Sequence, residues 1–369
     1  MFDLDDPSFV RSRDERGMLG LIDRFPRMLV EGYSSGWVEG PENIQGPISN
    51  VLMVGFGGSA ISGDILRDWL IDVLHVPLEV YRGLRLPGYV SDETLTIIVS
   101  YSGETLETLQ LLSSSLRRGC KTLTVTSGGL MGEICIKRRV PMLKVEGGLP
   151  SRAALPLLLS ATLKAVTETE VVPDMSMELH RTSSELEDKS RIWRVEVESA
   201  NNPCKRLATM LLNTIPVTYS LEGLTSVARR FKDQFNENSK IPAKFDLIPE
   251  ACHNEVEGWS KDFLLSYEGP RLSTIFIRDF CESPDESSRI DAFKEQLQSV
   301  GLKDIFEVWS DPSTRLGRIL HPILFGDYLS TYLAVARGVD PTSIPAISAV
   351  KGMVESRTGL RVDLEKEII

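Results

Sequence analysis

Two loops rich in serine and glycine constrain the fold of this chain more than any other feature. They are residues 55–64 (GFGGSAISGD) and 100–105 (SYSGET). Each follows a short apolar run, at 51–56 and at 94–99, that is typical of a buried parallel strand, and each leads into a helical pattern. In such a turn the free backbone N–H groups and the helix dipole point at the same place, which favours binding of an anion.

The side chains of these loops suit a phosphate group. Four hydroxyls are available, and Gly58 leaves room for close backbone approach; the hydroxyls belong to Ser59, Ser100, Ser102 and Thr105. Neither loop matches the nucleotide-binding patterns G-x-x-x-x-G-K-S/T or G-x-G-x-x-G. The sequence therefore predicts a pocket for a small phosphorylated metabolite.

Composition narrows the class of protein. A length of 369 residues is sufficient for two domains. The net charge of −11 argues against general binding of nucleic acid or of anionic membranes. No apolar run reaches the roughly 18 to 20 residues of a membrane span, and the polar N-terminus does not resemble a signal peptide. Five scattered cysteines without a C-x-x-C pair indicate reduced thiols, so we expect a cytoplasmic protein.

Strand and helix patterns alternate twice along the chain. Strands predicted at 51–56, 78–82, 94–100, 121–126 and 141–145 form a five-stranded parallel sheet covered on both faces. A helical zone follows, and the pattern restarts with strands at 215–220, 245–249, 272–278 and 306–310. We expect an α/β fold of two doubly wound domains, each a mostly parallel sheet flanked by helices. The predicted segments are an N-terminal helical segment (1–48, with a helix at 15–31), a phosphate-binding first domain (49–150), a helical linker zone (151–212) and a second domain with C-terminal helices (213–369).

The similar layout of the two halves suggests a duplication. The second half has no counterpart of the SYSGET loop. We therefore expect one half to bind the phosphate and the other to supply different groups.

The loops resemble a known family signature. Residues 57–59 (GGS), 100–105 (SYSGET) and 126–129 (TSGG) are similar to the sugar-isomerase (SIS) domain, which isomerases, amidotransferases and regulators share. Further segments resemble the archaeal-type bifunctional phosphoglucose/phosphomannose isomerases: LPSRAALP at 149–156, FNENSK at 235–240, CHNE at 252–255, and DPT at 340–342 leading to Lys351. The resemblance extends over about residues 50–355. It implies two SIS domains and interconversion of glucose 6-phosphate or mannose 6-phosphate with fructose 6-phosphate through a cis-enediol.

The resemblance also implies roles for two residues around the proton that moves between C1 and C2. Glu237 matches the glutamate base, although a solvated glutamate at a helix end is the plain structural alternative. Arg152 matches the group that stabilises the enediolate, since its guanidinium stays charged at any working pH. A surface arginine is the alternative, but the surrounding Pro, Ala and Leu favour function.

Opening of the sugar ring needs a further acid/base pair. His253 matches the family histidine, and in related enzymes this histidine reaches the active site of the neighbouring subunit, which implies a homodimer. The alternative is a loop histidine bonded to Glu255. Lys351 matches a lysine that assists ring opening or contacts the sugar oxygens, whereas composition alone favours a surface lysine. No metal-binding pattern occurs, and we expect neither metal nor cofactor.

The sequence leaves three alternative functions open. A non-catalytic sugar-phosphate sensor or regulator would share the loops, and so would an isomerase specific for one sugar phosphate. The isomerase half of a glutamine-dependent amidotransferase is a third alternative. That enzyme needs an N-terminal nucleophilic cysteine, whereas this chain begins Met1-Phe2.

Overall fold

The computed structural model describes residues 3–361 and 364. The α-helices are α1 Pro7–Arg13, α2 Met18–Asp23, α3 Phe25–Tyr33, α4 Gly58–Leu70, α5 Leu106–Arg117, α6 Gly129–Arg138, α7 Leu155–Glu168, α8 Ser176–Ser190, α9 Pro203–Met210, α10 Thr225–Glu237, α11 Glu255–Gly258, α12 Lys261–Ser266, α13 Pro284–Ser299, α14 Arg315–Arg337 and α15 Pro345–Thr358. The strands are β1 Trp37–Glu39, β2 Asn50–Val54, β3 Leu78–Tyr81, β4 Thr94–Val99, β5 Lys121–Thr126, β6 Met142–Lys144, β7 Thr214–Leu221, β8 Lys244–Ile248, β9 Arg271–Asp279 and β10 Ile305–Ser310. Short 3₁₀ helices lie at Pro41–Asn43, Arg191–Trp193, Glu222–Leu224 and Glu250–His253.

The chain forms two compact units that are not contiguous in sequence. The first-sheet unit contains Phe25–Ser183 and Ile344–Ile369, and the second-sheet unit contains Met1–Arg24 and Ser184–Ser343. The sequence division instead placed 1–48 in a segment of its own and 213–369 in the second domain. The difference at the C-terminal end has a visible cause, since Leu364 lies in the core of the first-sheet unit with Leu109 and Leu130. Residues 1–2, 362–363 and 365–369 of the predicted segments lie outside the described residues.

The first sheet has six strands among the described residues, in the order β1-β6-β5-β4-β2-β3. Strands β2 to β6 are parallel, as predicted from their apolar runs. The prediction of a five-stranded sheet was wrong at one edge, because β1 pairs antiparallel with β6. The three residues of β1 lie in a stretch that the sequence assigned to a loop, since so short an edge strand has no alternating pattern of its own.

The second sheet is parallel throughout, with the order β10-β9-β7-β8. All four strands fall where the restarted pattern predicts them. The order repeats that of β5-β4-β2-β3 in the first sheet. The two sheets therefore share one topology over four strands, and the strand order reverses at the same point, between β2 and β4 and between β7 and β9.

The N-terminal helix predicted at 15–31 is divided in the structure. Gly17 has a φ of 69°, a conformation that suits glycine, and it ends the turn that precedes α2. The buried carboxylate of Asp14 accepts bonds from the backbone N–H groups of Met18 (2.7 Å) and Leu19 (2.8 Å). This cap starts α2 at Met18, three positions after the predicted start, and the division itself lies at Arg24, which is the C-cap of α2 and directly precedes α3.

Helix α14 is the central helix of the second-sheet unit. It is long and apolar enough to cross a membrane by composition, but 94% of its apolar window is buried inside the protein, as in a core helix. Pro322 lies within it and cannot donate to the carbonyl of Arg318. Ser310 Oγ donates to that carbonyl instead, at 2.8 Å, so the helix continues through the proline.

Candidate functional site

The loop between β2 and α4 is shaped for an anion. Gly57 precedes α4 with φ 54° and ψ −130°, a conformation that favours glycine, and no side chain among the described residues caps this end. Ser59 lies in the first turn, 7% exposed, and its hydroxyl accepts from the backbone N–H of Tyr101 at 3.2 Å. The free N-terminus of a 13-residue helix thus meets the end of the neighbouring strand, β4.

The loop after β4 supplies the other predicted hydroxyls. Ser100 is 2% exposed, and its Oγ has no hydrogen-bond partner among the described residues. Ser102 is exposed, and its Oγ accepts from the N–H of Glu104 at 3.2 Å. Thr105 is the N-cap of α5, yet its side chain makes no capping bond to the described part of the chain. A buried hydroxyl without a partner is costly, so Ser100 in this loop points to a ligand.

The loop after β5 packs directly on the loop after β4. A Cβ at Gly103 would collide with the carbonyl oxygen of Gly128, so position 103 needs glycine, whereas Gly128 favours glycine through its φ of 146°. Ser127 Oγ donates to the carbonyl of Tyr101 at 2.7 Å. Glu104 Oε1 accepts from the N–H of Leu130 at 2.9 Å, so this carboxylate is bonded to the backbone of the neighbouring loop.

Arg152 lies beside the loop that follows β2. The ideal Cβ position of Gly58 is 3.1 Å from the carbonyl oxygen of Ser151 and 3.3 Å from the Cα of Arg152. The segment is also tied to the second loop, because Tyr101 Oη accepts from the N–H of Leu149 at 2.9 Å. Arg152 is 3% exposed, which excludes the alternative of a surface arginine. Burial raises the pKa of Tyr101 and so keeps its hydroxyl protonated.

Glu237 is the last residue of α10 in the second-sheet unit and is half-buried. The backbone beside it is firmly held. Asn238 and Ser239 are fully buried, and they bond to Ser330 of α14, from Asn238 Nδ2 to Oγ (3.0 Å) and from Ser239 Oγ to the carbonyl (2.7 Å). Because the backbone next to it is held, Glu237 differs from a fully solvated glutamate at a helix end, which was the structural alternative.

His253 ends the 3₁₀ helix after β8, and its side chain is exposed. The alternative of a histidine bonded to Glu255 finds no support in the described residues. Glu255 accepts instead from Tyr219 Oη at 2.7 Å.

Lys351 lies in α15, in the first-sheet unit, and is exposed. Helix α15 has no buried residue. Apolar side chains nevertheless recur along it at Ile347, Val350, Met353 and Val354, which are 37 to 57% exposed.

The structure thus divides the predicted site residues between two units. The first-sheet unit brings together Gly58, Ser59, Ser100, Ser102, Thr105 and Arg152, and it also contains Lys351. The second-sheet unit contains Glu237 and His253. Within the described chain, no group of three His, Cys, Asp or Glu residues could hold a metal ion.

Sequence reasoning missed the ion pair that holds the helix carrying Glu237. Arg230 and Asp327 are 2% exposed each and form two bonds of 3.0 Å, Nε to Oδ1 and Nη2 to Oδ2. Gln234 Nε2 donates to the same carboxylate at 2.8 Å. One signal was present: Arg230 and Gln234 directly precede Phe231 and Phe235 on the buried face of the helix.

Known proteins resemble this chain in sequence and in fold. Residues 200–354 match the model of the bacterial phospho-glucose isomerase C-terminal SIS domain. A bifunctional phosphoglucose/phosphomannose isomerase of Caldicellulosiruptor bescii is 33% identical over 82% of this chain and 89% of its own length. The enzyme of the same name from Aquifex aeolicus is 31% identical over 88% and 96%. The C-terminal domain of glucosamine-fructose-6-phosphate aminotransferase from Francisella tularensis has the same fold, with a TM-score of 0.70 at 14% identity over 88% of this chain and 98% of that domain.

Proposed function

The chain belongs to the family of bifunctional phosphoglucose/phosphomannose isomerases, and from this premise we propose that it interconverts glucose 6-phosphate and mannose 6-phosphate with fructose 6-phosphate. Its substrates are then sugar 6-phosphates. The unpartnered hydroxyl of Ser100, in a loop with further hydroxyls at a helix N-terminus, carries this proposal best, because it suits the phosphate these substrates share.

The reaction moves one proton between C2 and C1 through a cis-enediol. We assign Glu237 as the base that removes the proton from one carbon and returns it to the other. Arg152, beside the phosphate loops, stabilises the negative charge that develops on the enediolate oxygens. Its burial strengthens that interaction, because little water screens the guanidinium.

Ring opening precedes this proton transfer, since the sugars arrive as rings. We assign His253 and Lys351 to the transfer of a proton between the ring oxygen and the C1 hydroxyl. The two aldose phosphates differ only at C2, whose stereochemistry the enediol loses. A site that admits either face of C2 then accepts both substrates, and side chains beside C2 set their ratio.

We also propose that the protein is a homodimer in which His253 completes the site of the partner subunit. Two features of the single chain support this. The imidazole of His253 is exposed, and α15 presents four apolar side chains that are 37 to 57% exposed. Reduced cysteines, with none of the five in a disulfide, suit a cytoplasmic location.

The first test is a coupled assay of fructose 6-phosphate formation, with EDTA present. We expect turnover of both glucose 6-phosphate and mannose 6-phosphate without added metal. Turnover of glucose 6-phosphate alone would restrict the proposal to a single-sugar isomerase. Binding of both compounds without turnover would favour the sensor and contradict the proposed activity.

The dimer is tested by mixing two inactive variants. Glu237→Gln lacks the base and His253→Ala lacks the ring-opening group, so neither homodimer turns over. If His253 acts across the interface, a mixed dimer has one intact site, and random exchange restores about a quarter of the wild-type activity. If both residues act within one chain, mixing restores none.

A further inference from the structure

A buried hydrogen-bonded chain underlies the turn that carries His253. Tyr219, in the middle of β7, is fully buried, and its Oη donates to Glu255 at 2.7 Å. The same oxygen accepts from Trp259 Nε1 at 2.8 Å. Glu255 and Trp259 lie two and six positions beyond His253. The hydroxyl of Tyr219 in β7 therefore binds two residues, Glu255 and Trp259, of the segment that follows His253.

Glu255 also has a charged neighbour on β8. Burial raises the pKa of Glu255, and the carboxyl group of Asp246 raises it further. Two neighbouring carboxylates repel each other when both are ionised, so the protonated form of Glu255 is favoured. The other groups that face Glu255, Tyr219 and the ammonium of Lys244, lower its pKa.

The apolar core fixes the same segment from a different side. Ala251 and Trp259 belong to the core cluster that contains Tyr219 and Phe276. The turn itself is closed by Asn254, whose Nδ2 donates to Glu250 Oε1 at 2.6 Å. His253 thus stands exposed on a turn whose ends are anchored in the core.

We propose that Tyr219 and Glu255 are positioning residues for His253, holding its turn on β7 so that the imidazole meets the sugar ring in a fixed place. The inference rests on the proposed function, since it assumes that His253 opens the ring. A rigid platform matters for that step, because a proton passes only within hydrogen-bond reach, and a misplacement of about 1 Å costs up to 100-fold in rate.

The first test is Tyr219→Phe, which removes both bonds of the hydroxyl and keeps the ring. Ring opening is measured as enzyme-catalysed exchange between the α and β anomers of glucose 6-phosphate, by NMR exchange spectroscopy. We expect a fall of at least about tenfold. Binding of a phosphorylated aldonic acid, an acyclic mimic of the enediolate, stays within about twofold, because the phosphate loops lie in the other unit.

Tyr332→Phe is the matched control. Tyr332 is also fully buried in the second-sheet unit, and its Oη donates to the carbonyl of Trp193 at 2.6 Å, away from the His253 turn. We expect unchanged anomer exchange in this variant. Equal losses in both variants would mean that any lost tyrosine hydroxyl loosens the unit, and would overturn the positioning role.

Glu255→Gln provides a second readout that does not depend on the stability of Tyr219→Phe. Glutamine keeps an oxygen that can accept from Tyr219 Oη but cannot ionise, so it removes the repulsion between two ionised carboxylates. We expect the descending limb of the pH profile for anomer exchange to move to higher pH. An unchanged limb would overturn the proposal.

The outcomes separate this inference from the proposed function. A wild-type protein that turns over neither sugar phosphate would contradict the function, and the positioning role with it. A wild-type protein that isomerises both, with Tyr219→Phe equally fast in anomer exchange, would contradict the positioning role alone. Faster amide hydrogen exchange over residues 250–259 in Tyr219→Phe supports the role, and unchanged exchange there contradicts it.

Discussion

The two sheets follow the same path over four strands and then differ in the loops at their carboxyl ends. In the first sheet, Ser59 lies in the first turn of the helix that follows β2 and Ser100 directly follows β4, and residues 55–57 and 100–103 include no carboxylate. In the second sheet, the loops after β7 and β9 contain Glu222 and Glu282. In both sheets these loops flank the point where the strand order reverses, which is where open α/β sheets bind ligands.

The second-sheet loops border a cavity of about 190 Å³ whose charges are largely committed to one another. Arg318 Nε lies 3.0 Å from Asp279, and Glu282 lies 2.7 Å from the buried Arg278. Carboxylates at this place repel a phosphate dianion. The shared topology thus provides a place for a ligand site in each unit. The loop residues favour phosphate in the first-sheet unit only.

Loss of the assigned base gives the largest expected effect and tests this division directly. Glu237→Gln should lower kcat by about 10³-fold or more, because no other group returns the proton. Phosphate-dependent binding should stay within about threefold, because it belongs to the other unit. Steady-state kinetics and calorimetric binding measure the two quantities.

Glu222→Gln is the control for that experiment, since it removes an exposed carboxylate from the same unit. It should retain wild-type kcat. If Glu237→Gln loses both binding and turnover, the assignment of phosphate binding and proton transfer to different units is contradicted.

The buried ion pair beneath α10 gives the next largest effect, on stability. Arg230→Ala leaves Asp327 as an uncompensated buried charge and should lower the free energy of unfolding by about 3–5 kcal/mol. In the first-sheet unit, Arg82 pairs with the buried Asp64 but is itself 29% exposed. Arg82→Ala should therefore cost less, because water reaches the pair. Urea unfolding measures both, and equal losses would contradict the link to burial.

His321 makes the stability of the second-sheet unit sensitive to acid. Burial against Trp193 lowers its pKa from 6.5 to about 4. Between these values the unfolded chain binds a proton that the folded protein excludes, so stability is complete above pH 6.5 and falls as the pH drops towards 4. The maximum loss is on the order of 3 kcal/mol.

The measurement is the urea midpoint as a function of pH for wild type, His321→Gln and His180→Gln. The first variant should flatten the decline between pH 6.5 and 4. The second, an exposed histidine of the first-sheet unit, should leave it unchanged. A decline that persists in His321→Gln would assign acid sensitivity to other groups.

The smallest effect is expected in the phosphate loops. Ser100→Ala removes one hydroxyl and should raise KM by about 5- to 30-fold, which corresponds to roughly 1–2 kcal/mol, with kcat little changed. Ser115→Ala is the matched control, because Ser115 is also fully buried in this unit and its hydroxyl has no described partner. A similar KM increase in both variants would mean that the phosphate loop has no special role.

Much of the fold could be predicted because it is encoded locally. The predicted strand 121–126 coincides with β5, and the other predicted strands differ by a residue or two at their ends. The two loops rich in serine and glycine were visible because glycine, hydroxyls and a following helix are neighbours in sequence. Glu237 lies at the end of a helix and Lys351 lies on a C-terminal helix, as expected, whereas their roles rest on the resemblance.

Other features depend on contacts between residues far apart in the chain. Arg230 meets Asp327 across 97 positions, and β1 exists only because β6 offers it an edge. The assignment of residues 344–369 to the first-sheet unit depends on apolar residues such as Leu364 that pack far from their sequence neighbours.

The sequence by itself determined the alternation of strands and helices and the place of the phosphate loops, because backbone preference and side-chain chemistry act over a few residues. Only the tertiary structure decided which segments form each unit, that Arg152 is buried beside Gly58, and that Ser100 Oγ has no hydrogen-bond partner among the described residues. Those properties depend on packing that removes water from groups far apart in the chain, so a local sequence pattern cannot predict them.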